Sequence, residues 1–210
     1  MKLIPEWYEH QYCLIAWPCN KDLYGKIINK ARDEVANVIN EIAKTEHVIV
    51  LSNKEDINEI QNKTDHKNID IVECKLDDSW MRDIAPIFYN ENEKLKSISF
   101  EFNGYGKYPD YLNDNKISKF ISNYLNIPTK ISDLVIEGGA ITYDDRKNLF
   151  STKNVIFNKN RKQKHNSEYI IKELKFLFDL NYIFLFENGL MEDDTDGPVS
   201  YTHLTLPTSG

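Results

Sequence analysis

Cysteine is scarce in this 210-residue chain, and the little there is forms no pattern. Cys13, Cys19 and Cys74 are odd in number and lack a Cys-x-x-Cys spacing, which argues against a disulfide framework and for reduced thiols in a cytoplasmic protein. The five histidines are scattered without a paired spacing, so no metal is expected. No stretch approaches the roughly 18 apolar residues of a membrane span, and residues 1–12 carry one lysine and no apolar run. Neither a membrane partner nor a secretory leader is therefore expected. Positive charge is also in deficit: 26 Lys and Arg face 33 Asp and Glu, a net charge of −7, which argues against a nucleic-acid partner. That balance favours cationic partners mildly, and solubility explains it equally well. Nothing fixes the oligomeric state.

What remains is an ordinary globular composition, 41% apolar and 28% charged, in a length that suits one domain or two small ones. Hydrophobic periodicity predicts a buried strand over 12–17 and a helix over 27–44, with Ile28, Ala31, Val35, Val38, Ile39 and Ile42 inward. A strand over 47–51 leads to a helix over 54–62, with Ser52 or Asn53 as its cap. Further strands are predicted over 69–74, 87–89, 97–102, 134–136, 140–143, 148–151 and 182–186. Helices are predicted over 117–125 and 165–179, the second with Ile170, Ile171, Leu174, Leu177 and Phe178 inward. Strands and helices thus alternate in units of roughly 50–60 residues, as in a layered or radially repeated α/β fold.

The last thirteen residues differ: 198–210 carry no Asp, Glu, Lys or Arg. The string from Val199 to Thr208 resembles the translation of a transposase adapter used in preparing sequencing libraries. Residues 198–210 are expected to be an adapter-derived tail, with the evolved domain ending at 197, and the tail is set aside from fold reasoning.

Four stretches carry possible chemistry. Asp77-Asp78-Ser79-Trp80-Met81-Arg82-Asp83 packs three carboxylates, an indole and a guanidinium into seven positions. A carboxylate beside an indole face suits a flat cation, because a guanidinium can be gripped by two hydrogen bonds and drawn to the ring. The alternative is a solvated acidic loop, with Trp80 in the core and Arg82 paired to Asp77 or Asp78. In Val135-Ile136-Glu137-Gly138-Gly139, an acid sits at a strand end before two glycines that allow close backbone approach. A plain turn with an exposed Glu137 is the competing reading. Glu192-Asp193-Asp194-Thr195-Asp196-Gly197 is an acidic run that does not match an EF-hand loop. Pro5-Glu6-Trp7 with His10, then Ala16-Trp17-Pro18, reads most simply as core or lid.

In this order, and with an Asn-rich strand before the acidic run, these motifs resemble the agmatine deiminase and bacterial peptidylarginine deiminase family. The resemblance spans positions 5–197. It implies a pentein fold, an α/β-propeller of repeated βα units, here truncated to about three of five. It implies hydrolysis of a guanidine, agmatine or an arginine side chain, to a ureido product and ammonia, with polyamine synthesis as the setting if agmatine is the substrate. Asp83 and Glu137 are the implied catalytic residues: Asp83 holds the guanidinium and Glu137 supports the catalytic histidine. Trp80, Arg82, Asp78 and Gly138 complete the implied substrate-binding set with Asp83. No cofactor is implied, because a thiolate, acids, a base and water suffice.

The family's histidine, and the aspartate two places on, fall at Pro198 and Ser200. Its nucleophilic cysteine lies beyond the chain, and none of the three cysteines present matches it. The expectation is a chain without turnover, poorly stable because closing units are missing. A binding module that holds a guanidinium without chemistry is the competing function. An amidino transferase would use the same pocket.

Overall fold

The computed structural model describes residues 2–5, 7–9, 11–65, 67–187 and 189. Glu6, His10, the acidic run and the tail therefore lie outside the described residues. In chain order the structure forms β1 (Lys2–Leu3), β2 (Tyr12–Ala16), the one-turn α1 (Lys21–Tyr24), α2 (Ile28–Ala43), β3 (His47–Ser52), α3 (Ile57–Lys63) and β4 (Ile69–Glu73). There follow the one-turn α4 (Met81–Ile84), β5 (Ile87–Glu91), β6 (Lys94–Glu101), α5 (Ile117–Tyr124) and β7 (Thr129–Val135). The chain continues through β8 (Thr142–Tyr143), β9 (Asn148–Thr152), the one-turn α6 (Lys153–Ile156), α7 (Ser167–Phe178) and β10 (Tyr182–Phe186). Among the described residues no helix is long and apolar enough to cross a membrane.

Two compact units result: residues 9–81 with 111–114, and the remainder. The first is a three-stranded parallel sheet, β2-β3-β4. Parallel neighbours need a crossover, and α2 and α3 supply it. Its core is Trp17, Ala36, Ile39, Ala43, Val48, Val50 and Ile60.

The face that α2 buries differs from the one its apolar residues predict. Arg32, Ala36, Ile39 and Ala43 are buried, while Val38 is 51% exposed. The cause is a charge inside. Arg32 Nε donates to the Pro18 carbonyl at 3.0 Å, Nη2 meets Asp56 at 2.8 Å, and Nη1 meets Glu59. With every polar end of Arg32 matched, that row turns inward, and the two alanines let the helix lie close to the sheet. Asn53 also does other work than capping. Its side chain accepts from Leu76 N at 3.0 Å and donates to Leu76 O at 3.2 Å, tying the end of β3 to the loop after β4.

The second unit holds two sheets. One runs β1-β5-β6-β7, antiparallel except for the parallel β6–β7 pair that α5 connects. The other runs β8-β9-β10, with β9 and β10 parallel across α7. The β5–β6 hairpin is longer than expected because Asn92 and Glu93 both take positive φ, closing a two-residue turn without glycine. β7 likewise begins earlier, at Thr129. Residues 138–140 form a single 3₁₀ turn where a strand was expected from 140. α7 starts at Ser167, where Asn166 Oδ1 caps Tyr169 N at 2.9 Å, and buries Ile170, Leu174, Leu177 and Phe178. Ile171, expected inward, is only half-buried.

Removing the buried guanidinium strands two carboxylates. Arg32→Met is expected to destabilise the first unit by about 3–5 kcal/mol, measured by denaturant unfolding. A loss below about 1 kcal/mol would show that the pair does not hold α2.

Candidate active site

The Asp77–Asp83 segment crosses from one unit to the other after Met81, so its residues fall into two groups. In the first unit, two loops clasp each other. Asp114 accepts from the backbone N–H groups of Asp77 (2.8 Å) and Asp78 (3.1 Å), and Asp77 accepts from Asn113 N and Nδ2, both at 2.7 Å. Burial, with the Asp77 and Asp78 charges beside it, pushes the Asp114 carboxyl up to about 7.

The clasp holds Asp78 in place. Its Oδ1 accepts from Ser79 N at 2.8 Å and its Oδ2 from Trp80 Nε1 at 2.7 Å. Asp78 is buried, which raises its carboxyl above the ordinary value against the pull of these donors. Trp80 is 43% exposed, not in the core. Its indole N–H is spent on Asp78, so the ring orientation is fixed. The acidic-loop alternative with a packed Trp80 therefore fails.

In the second unit the remaining residues converge. Asp83, on α4, accepts from Tyr105 Oη at 2.6 Å through Oδ2 and from Gly139 N at 3.0 Å through Oδ1. Both glycines are required. A Cβ on Gly139 would lie 2.3 Å from Asp83 Oδ1, and one on Gly138 would lie 2.3 Å from the Arg82 carbonyl. Burial raises the Asp83 carboxyl, opposed by these two donors and by Arg82 and Arg161. Arg82 itself is exposed.

Glu137 is 1% exposed, not the outer residue of a plain turn. Its Oε2 accepts from Arg161 Nε at 3.0 Å and Nη2 at 2.7 Å, while Arg161 Nη1 donates to the Val155 carbonyl at 2.7 Å. Burial pushes the Glu137 carboxyl up, with Arg161 the largest opposing influence and Asp83 adding to the rise. Gln163 clamps the end of β7 by bonding Val135 N and O at 3.0 and 2.7 Å, which delivers Glu137 to the interior.

Tyr105 and Arg161 were not picked out by motif reading, nor was Asp114. Arg161 lies in a Lys- and Asn-rich turn that reads as surface, and no local spacing links it to Glu137. Tyr105 carried one signal, its flanking glycines. It adopts φ 59° between Gly104 and Gly106, both also positive, a conformation that is costly for a tyrosine and is held only by its surroundings.

The other reactive groups are poor candidates for chemistry. Burial pushes the thiols of Cys19 and Cys74 up to about 12 and about 11, and raises Cys13 as well. His47 and His165 pair with the surface carboxylates Asp70 and Asp133. Among the described residues no group of three His, Cys, Asp or Glu side chains is placed to hold a metal.

Asp83 and Glu137 are thus two neighbouring carboxylates in an α/β fold, each fixed by protein donors. The chain belongs to the Porphyromonas-type peptidyl-arginine deiminase family, whose pattern matches residues 2–204 and so reaches past the boundary placed at 197. A Mycoplasma capricolum relative is 31% identical over 209 residues, covering 96% of this chain and 57% of its own length. Agmatine deiminase of Enterococcus faecalis has the same fold, with a TM-score of 0.87 at 18% identity over 94% of this chain and 56% of that one. A Cys-to-Ser variant of C. jejuni agmatine deiminase with substrate bound aligns at 0.81 and 26% identity, covering 90% and 57% respectively. The chain thus spans a little over half the length of these relatives.

Gly139→Ala drives a methyl group into Asp83 Oδ1. It is expected to cost about 1–3 kcal/mol by thermal or denaturant unfolding, as overpacking does. Unchanged stability would mean that the Asp83–Gly139 contact is slack.

Proposed function

We propose that this chain supplies the guanidinium-holding part of a deiminase that converts agmatine to a ureido product and ammonia. The observation that carries this reading is the neighbouring pair Asp83 and Glu137, one half-buried and one fully buried, each already oriented by protein donors. A guanidinium carbon is a weak electrophile because resonance spreads its charge. Carboxylates that grip its N–H groups fix the plane face-on to an attacking thiolate. The thiolate adds to the carbon, a histidine gives a proton to the departing ammonia, and water then displaces the sulfur. In this scheme Asp83 holds the substrate and Glu137 supports the histidine. Gly138 permits the close backbone approach and Arg82 is exposed beside Asp83 on the same helical turn, while in its own unit Trp80 keeps a ring oriented by Asp78.

The nucleophile is assigned to none of the three cysteines of the chain, and the histidine to neither His47 nor His165. The raised thiols of Cys13, Cys19 and Cys74 and the surface pairing of His47 and His165 support that assignment. Agmatine is preferred over an arginine side chain on the names of the relatives alone. The reading predicts that the 210-residue chain binds agmatine but does not consume it.

Calorimetric titration of the chain with agmatine, and with a diamine of similar length lacking the guanidinium, tests this. Agmatine is expected to bind and the diamine not. Asp83→Asn is expected to weaken agmatine by roughly 10- to 100-fold, the loss of about 1.5–3 kcal/mol from a charged hydrogen bond. Equal binding of the two amines would contradict the reading.

A further inference from the structure

Glu137 presents an asymmetry. Oε2 takes two hydrogen bonds from Arg161, whereas Oε1 is buried and has no partner among the described residues. An unsatisfied buried acceptor ordinarily costs about 1–3 kcal/mol, more for a charged group, so native structures seldom keep one without a use. Two of the three guanidinium nitrogens converge on the same oxygen, and the third is held by the Val155 carbonyl. The guanidinium therefore cannot swing to share Oε1.

The backbone around Arg161 is pinned as well. Its carbonyl accepts from Asn103 Nδ2 at 2.8 Å, and a Cβ on Gly106 would lie 1.9 Å from the Asn160 carbonyl. The loop that carries Tyr105 to Asp83 thus packs directly on the turn that carries Arg161 to Glu137. One framework orients both carboxylates.

We propose that Arg161 is a positioning residue, which by holding Oε2 with two nitrogens fixes the Glu137 rotamer and reserves Oε1 for an incoming cationic N–H donor. This rests on the role given to Glu137 above. Two sources share that donor chemistry, an imidazolium ring and a guanidinium. Arg161 and Asp83 are the charged groups that act on Glu137, with opposite effects on its ionisation.

The test is an NMR titration of the 210-residue chain carrying 13C-labelled glutamate, with the Glu137 carboxyl signal identified by its loss in Glu137→Gln. Imidazolium chloride and agmatine are added separately as probes. At least one is expected to shift the Glu137 signal of the unsubstituted chain, and which one does so identifies the donor. Arg161→Gln is expected to raise the Glu137 titration midpoint by about 1–3 pH units, as removal of an adjacent opposite charge does, and to abolish the probe shift. Arg161→Lys keeps a charge but not the two-nitrogen grip. It should restore most of the midpoint while leaving the probe shift at least about tenfold weaker in affinity. If Arg161→Gln does not fold, the lysine variant decides. A wild-type midpoint in folded Arg161→Gln, or wild-type probe affinity in Arg161→Lys, overturns the proposal. So does a Glu137 signal that neither probe moves. A Glu137 that answers imidazolium but a chain that nowhere answers agmatine would leave Arg161 in its role and remove the guanidine reading instead.

Discussion

The buried pair between Glu137 and Arg161 is the constraint on which the rest of the site depends. Two ionised groups in a low-dielectric interior are tolerable only when nearly every donor is matched, because desolvation costs several kcal/mol per ion. The matching here is extensive. The guanidinium spends three nitrogens on Glu137 and the Val155 carbonyl. To bring that guanidinium inward, the turn at 159–161 must press against Gly106, and Asn103 must hold the Arg161 carbonyl. The same loop then places Tyr105 on Asp83, and Asp83 accepts from Gly139, two residues beyond Glu137. The contacts close into a ring, so neither carboxylate can shift without disturbing the other.

Strain and close approach are concentrated on this ring. Tyr105 holds a left-handed backbone. Gly106, Gly138 and Gly139 each stand where a methyl group would collide with backbone or with Asp83. Such features cost stability, and their clustering around two carboxylates is what pre-organisation of the proposed cation site requires. In the other unit, the Asp77–Asp114 clasp has a simpler role and fixes the loop that carries Asp78 and Trp80.

The sequence made the alternation of strands and helices legible, because α2, α5 and α7 each carry an apolar row and β3 is a β-branched run. It failed where a charge overrode that row. Arg32 faces inward on α2, and no periodicity argument turns a buried arginine toward the core before its partners Asp56 and Glu59 are known. The site divides in the same way. Asp83, Glu137 and the two glycines announce themselves by local composition and by family resemblance. Arg161 and Tyr105 do not, since their meaning comes from contacts 24 and 22 residues away in sequence. The two readings of Glu137, exposed turn or buried acid, differed only in a partner that sequence could not show.

The central claim is that the framework of Arg161 and Tyr105 presents Asp83 to a flat cation while it holds Glu137 fixed beside it. A crystal structure of the chain grown with agmatine tests it most directly. The account predicts the guanidinium group within hydrogen-bonding distance of the Asp83 carboxylate, with the Glu137–Arg161 pair undisturbed. A guanidinium bound elsewhere, or one that displaces Arg161 from Glu137, would contradict it.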